Sequence, residues 1–89
     1  MSCEKHKRTI EKYNGSINEL VEDIGNLHYE TLTEFIKELS SKIERDAKKD
    51  EAAGRTQLSE ELYGAAEYLE ITSTYIEQAW VISKPYMNV

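Results

Sequence analysis

A chain of 89 residues with a net charge of -6 has room for one domain and one modest core, since a chain this short buries only about 60–65% of its unfolded surface. Hydrophobic residues make up 39% and charged residues 31%, a balance that in small chains goes with a core completed by self-association. The acidity argues against nucleic-acid binding as the main task, because phosphate contacts need a basic face, and no apolar run approaches the roughly 18–20 residues that span a membrane.

One Pro and four Gly among many Glu, Lys, Leu and Ala favour helix over strand throughout. Residues 1–14 show no apolar periodicity. They carry Lys5, Lys7, Arg8 and Lys12 against Glu4 and Glu11, so the basic excess of the chain sits here and the rest is more acidic. Asn14-Gly15 is a turn signal. The expected organisation is a flexible N-terminal tail over 1–14 and a single helical domain over 15–89. Met1 to His6 has no apolar stretch of the kind a secretory signal needs. Cys3 is the lone cysteine, which suits a reduced compartment and a cytoplasmic location.

Ser16-Ile17-Asn18-Glu19 has the Ser-x-x-Glu form that supplies partners to the free N–H groups of a helix start. Ile17, Leu20, Val21 and Ile24 follow at helical spacing, and Gly25-Asn26 suits a helix end. The same phase continues through His28, Leu32, Phe35 and Leu39, so one unbroken helix competes with a break at Gly25; the break is the preferred reading. Thr31-Leu32-Thr33-Glu34 is a second box of the same form. Behind it Leu32, Phe35, Ile36, Leu39, Ile43 and Ala47 form one apolar stripe. Glu38–Lys42 and Glu44–Lys48 are favourable pairs on the polar face.

The apolar pattern lapses from Lys48 to Gln57. Gly54 suits the end of the second helix and Thr56 the N-cap of a third. A turn this short makes the two helices antiparallel neighbours, with Lys48 and Lys49 near Glu60 and Glu61 and Lys42 near Glu67. Leu58, Leu62, Ala65, Leu69, Thr72, Ile76, Ala79 and Ser83 then alternate steps of four and three, a heptad seam expected to meet the preceding helix; Ala66, Ser73 and Trp80 widen it, and its small residues (Ala65, Ala66, Thr72, Ser73, Ala79) allow close helix approach. Pro85 disfavours helix at Lys84, so this helix ends near Ser83. Tyr68, Tyr75 and Ile82 form a second stripe that the hairpin leaves uncovered. With Trp80 they are the candidate interface residues. The short first helix or a second subunit is expected to cover them.

The fold expected is all-α: a long antiparallel helical hairpin with a short N-terminal helix, completed as a three-helix bundle or, by dimerisation, as a four-helix bundle.

Candidate chemistry is sparse. Cys3-x-x-His6 is half a metal site, with His28 the only further His. His28 lies on the apolar phase and reads as a partly buried structural histidine. Glu19-x-x-Glu22-Asp23 and Glu67-x-x-Glu70 have the composition of a Mg²⁺ site but not its facing. No phosphate-binding loop, dinucleotide fingerprint or zinc-protease motif is present. No catalytic residue, cofactor or metal is therefore assigned, and the chain reads as a non-enzyme. The leading expectation is a helical interaction or regulatory module that self-associates, as a dimer, or binds a protein partner. Two alternatives are an acidic inhibitor-type protein (immunity, antitoxin-like or DNA mimic) on a basic surface and a small metal-dependent hydrolase. The base-free run Glu60, Glu61, Glu67, Glu70 and Glu77 motivates the first.

Overall fold

The computed structural model describes residues 6–86. Helix α1 spans Ile17–Gly25, α2 spans Tyr29–Ala52 and α3 spans Thr56–Ser83, and α3 runs into a 3₁₀ turn at Lys84–Tyr86. Every regular element among the described residues is helical. Helices α2 and α3 pack against each other along their length as an antiparallel hairpin, and no other helix pair packs extensively.

Each boundary has a local cause. The Ser16 hydroxyl accepts from the Glu19 N–H at 3.1 Å and the Glu19 carboxylate accepts from the Ser16 N–H at 2.7 Å. Two donors at the start of α1 are thereby satisfied. Tyr13 is tied back onto α1 by its hydroxyl, which donates to Asp23 at 2.7 Å; this hydrogen bond holds the Tyr13 phenol above its ordinary range. The break is real: α1 ends at Gly25 and α2 begins at Tyr29.

The second box is not used. Thr31 and Glu34 lie inside α2, whose cap is His28, with Nδ1 accepting from the Glu30 N–H at 3.1 Å. His28 is therefore an exposed helix cap and not a partly buried residue of the apolar stripe. Nor does Thr56 cap α3: the preceding residue, Arg55, takes that place without a side-chain bond, and Thr56 is the first helical residue. The reversal itself is built around Gly54, at φ 83. The Gly54 N–H donates to Glu51 O at 3.0 Å and the Arg55 N–H to Asp50 O at 2.8 Å, which satisfies two end carbonyls of α2 in the usual glycine-terminated pattern. A side chain at that φ is strained by about 1–2 kcal/mol. Gly54→Ala is expected to lower hairpin stability by that amount in chemical denaturation, with helix content in buffer unchanged.

The molecule is long and thin. Its radius of gyration is 16.1 Å, against about 12 Å for a compact chain of this length. Its extents are 52 × 29 × 14 Å, and the smallest is close to the width of one helix with its side chains. The hairpin is one helix deep.

Candidate interaction surface

The line along which α2 and α3 meet consists of small side chains. On α2 the buried residues are Thr33, Ser40 and Ala47; on α3 they are Ser59, Ala66 and Ser73. Each set repeats every seventh residue, the spacing that returns to one side of a gently supercoiled helix. Small side chains let two backbones approach closely, and the approach here is close enough for a bond between them. The Ser40 hydroxyl donates across the seam to the Ala66 carbonyl at 2.7 Å. The other two serines bond within α3, Ser59 to Thr56 O at 2.9 Å and Ser73 to Glu70 O at 2.6 Å. The Thr33 hydroxyl oxygen is buried without a partner. Thr33→Val keeps its shape and removes the unsatisfied group, so it is expected to leave stability unchanged or raise it by up to about 1 kcal/mol in thermal unfolding.

This corrects the expected seam. The centre of the contact is displaced by one residue from the heptad Leu58–Ser83, to Ser59, Ala66 and Ser73, of which Ala66 and Ser73 were expected at its edge. Leu62, Leu69 and Ile76 are half-buried, while Leu58, Ala65 and Thr72 are exposed. On α2, Leu32, Ile36 and Ile43 are half-buried, and Phe35 and Leu39 remain 41% and 38% exposed. At about 100° per residue these side chains lie some 40–140° to one side of the small-residue lines. Two antiparallel right-handed helices present equal angular offsets to the same side. The apolar residues of both helices therefore share one face of the thin hairpin.

The opposite face is polar. Lys37 and Glu77 pair across it at 3.8 Å, both exposed, an interaction worth about 0–1 kcal/mol. The Tyr63 hydroxyl donates to Glu51 at 2.8 Å and is thereby held above its ordinary phenol range. The expected links from Lys48 and Lys49 to Glu60 and Glu61, and from Lys42 to Glu67, are absent among the described residues. Lys42 instead pairs with Asp46 at 2.5 Å, one turn along its own helix; that hydrogen bond holds the Asp46 carboxyl below its usual range. A neighbour one turn away is reached with less loss of side-chain freedom than a partner across the groove.

Tyr68, Tyr75 and Ile82 fall on the outer side of α3, away from α2, and are 71%, 67% and 72% exposed. Helix α1 does not cover them. Its own apolar side is open as well, with no residue buried. Trp80 separates from this group. It continues the Ser59–Ala66–Ser73 line at the open end of the hairpin, half-buried, with its ring 4.4 Å from that of His28 in an edge-on arrangement and Lys84 Nζ 5.9 Å from its centroid.

No group of three or more His, Cys, Asp or Glu is placed to hold a metal ion among the described residues. Cys3 lies outside them. Glu19 and Asp23 are engaged in the contacts that shape the start of α1, and Glu67 and Glu70 are exposed on α3. No described helix is long and apolar enough to cross a membrane.

The surface assembled by the hairpin is thus a broad apolar face with a second, aromatic flank on α3. Its central lines were visible in the sequence as small residues at seven-residue spacing, a signal that hydrophobic patterning discounts. Comparison with protein-family models, curated proteins and solved structures finds no match for this chain.

Proposed function

We propose that this chain is a non-enzymatic interaction module that works through the apolar face of its hairpin and is completed by self-association. One observation carries the reading. Among the described residues, the buried hydrophobic ones are Ala47 and Ala66, and the largest fully buried side chains are Ser59 and Ser73. Burying a Leu, Ile or Phe contributes about 1.5–3 kcal/mol, and here Leu32, Phe35, Ile36, Leu39, Leu62, Leu69 and Ile76 keep part of that surface in water. A second layer on this face supplies the missing burial. A cytoplasmic location goes with the reading, on the ground of the lone Cys3.

Light scattering over a range of concentrations tests it. The expected mass is twice the 10.3 kDa of the chain, with an unfolding midpoint that rises with concentration. A monomer that unfolds cooperatively at a concentration-independent midpoint overturns it.

A second reading rests on the acids of α3. Glu77 pairs with Lys37, while Glu60, Glu61, Glu67 and Glu70 are exposed and outside every ion pair among the described residues. This row suits a basic partner surface, as in an inhibitor or DNA mimic. Such binding weakens steeply with added salt; affinity for a polycation that is insensitive to salt removes this reading.

A further inference from the structure

We propose that the second copy docks on α3 itself, antiparallel, about a two-fold axis over Thr72, with Ala65, Thr72 and Ala79 as the contact line. The inference rests on the self-association reading above and specifies its geometry. Within the hairpin, the helices meet small line to small line, Thr33–Ser40–Ala47 on Ser59–Ala66–Ser73. Helix α3 carries a second line of the same kind, Ala65–Thr72–Ala79, and this one has no partner: Ala65 and Thr72 are exposed and Ala79 half-exposed. The corresponding positions of α2 hold Leu32, Leu39 and Asp46, so of the two long helices only another α3 offers the matching small line.

The line reads the same in both directions, Ala–Thr–Ala, as an isologous contact requires. Apolar ridges flank it on both sides, Leu62–Leu69–Ile76 on one and Tyr68–Tyr75–Ile82 on the other. An antiparallel pairing centred on Thr72 sets Leu69 beside Ile76 of the second copy and Tyr68 beside Tyr75 of the second copy. Both exposed stripes of α3 are then covered by one operation. The Ser40–Ala66 bond fixes the register of α2 on α3. With that register, the same operation lays the first half of α2 on its copy, Leu32 beside Ile36 and Leu39 beside Tyr29.

Charge sets the direction. From Leu62 to Ser83 this side of α3 carries no acid or base, and Glu61 lies at its start. Antiparallel pairing keeps the two Glu61 carboxylates at opposite ends of the contact, whereas parallel pairing sets Glu61 on Glu61. The area suffices. The operation covers about 34 Å of α3 and about 16 Å of α2, each about 10 Å wide, or about 500 Å² per chain and about 1,000 Å² in total, the size at which specific interfaces begin.

Site-specific cross-linking of the full chain in a Cys3→Ser background tests the geometry. A disulfide needs Cα atoms about 5.5–6 Å apart, and antiparallel symmetry brings like positions that close only at the axis. Thr72→Cys is expected to give a covalent dimer under mild oxidation. Ala65→Cys alone is expected to stay uncoupled, but to couple when mixed with Ala79→Cys. A chain that has dimer mass while Ala65→Cys couples to itself and Thr72→Cys does not overturns this arrangement and leaves the self-association reading standing. A monomer by light scattering overturns both, and protection of Tyr68 and Tyr75 in that monomer assigns their cover to α1.

Discussion

Ala66→Leu is expected to unfold the hairpin. Ala66 is 6% exposed and lies where α3 comes within hydrogen-bonding distance of Ser40 on α2. A leucine adds an isobutyl tail at a place where the facing side is another helix backbone and a serine. The seam is already closed at this point, so the added volume is taken up by separating the helices. Overpacking of this kind typically costs about 1–3 kcal/mol. Separation also breaks the Ser40–Ala66 bond, at a further cost of about 0.5–1.5 kcal/mol. The total approaches the lower end of the stability of a small domain, about 5 kcal/mol, and among the described residues no side chain larger than serine is fully buried. Far-UV circular dichroism against denaturant is expected to show no cooperative transition in the variant. A cooperative unfolding curve at the wild-type midpoint contradicts the close-approach seam. Ser40→Leu and Ser73→Leu are expected to act alike, because each sits on one of the two facing lines.

This seam marks the limit of what patterning reveals. The helix over Leu58–Ser83, the reversal at Gly54, the capping box at Ser16 and the break at Gly25 were all readable. Each is set within a few residues by capping chemistry or by the left-handed tolerance of glycine. The side of α3 that meets α2 was readable only in part: Ala66 and Ser73 stood at the edge of the expected seam and turn out to be its centre. Hydrophobic periodicity finds the centre of the apolar stripe, which is the side facing the whole core of an assembly. In a layer one helix deep, the direction of the neighbour and the direction of that core differ. The neighbour is met along serines and alanines, and the leucines turn towards whatever lies above. The cap of α2 was missed for a related reason. His28 lies in phase with apolar residues, and phase conceals that a ring nitrogen three residues before Thr31 starts the helix itself. Of the candidate interface residues, Tyr68, Tyr75 and Ile82 share one exposed flank, while Trp80 belongs to the inner line with Ala66 and Ser73, beside which its spacing also set it.

Leu69→Glu is expected to abolish self-association while leaving the hairpin formed. Leu69 is half-buried at the centre of the apolar face, off the line that contacts α2, so a longer polar side chain there can reach water in an isolated chain. In the associated state it cannot. A carboxylate enclosed between two layers without a partner costs at least about 3 kcal/mol. Two-fold symmetry places one in each copy, so the penalty per dimer is about 6 kcal/mol, some four decades in the association constant. The mass by light scattering is expected to fall from twice to once the chain mass of 10.3 kDa, and the unfolding midpoint is expected to become lower and independent of concentration. Ser41→Glu, an exposed position of α2 outside the apolar face, controls for added charge and is expected to keep the dimer mass. The two variants separate two kinds of packing that the sequence presents as one. Ala66→Leu acts where the chain meets itself within one copy, and its effect is the same at any concentration. Leu69→Glu acts on a surface that matters only when a second copy is present. A Leu69→Glu protein that retains twice the chain mass removes the apolar face from the interface, and with it the two-fold arrangement over Thr72.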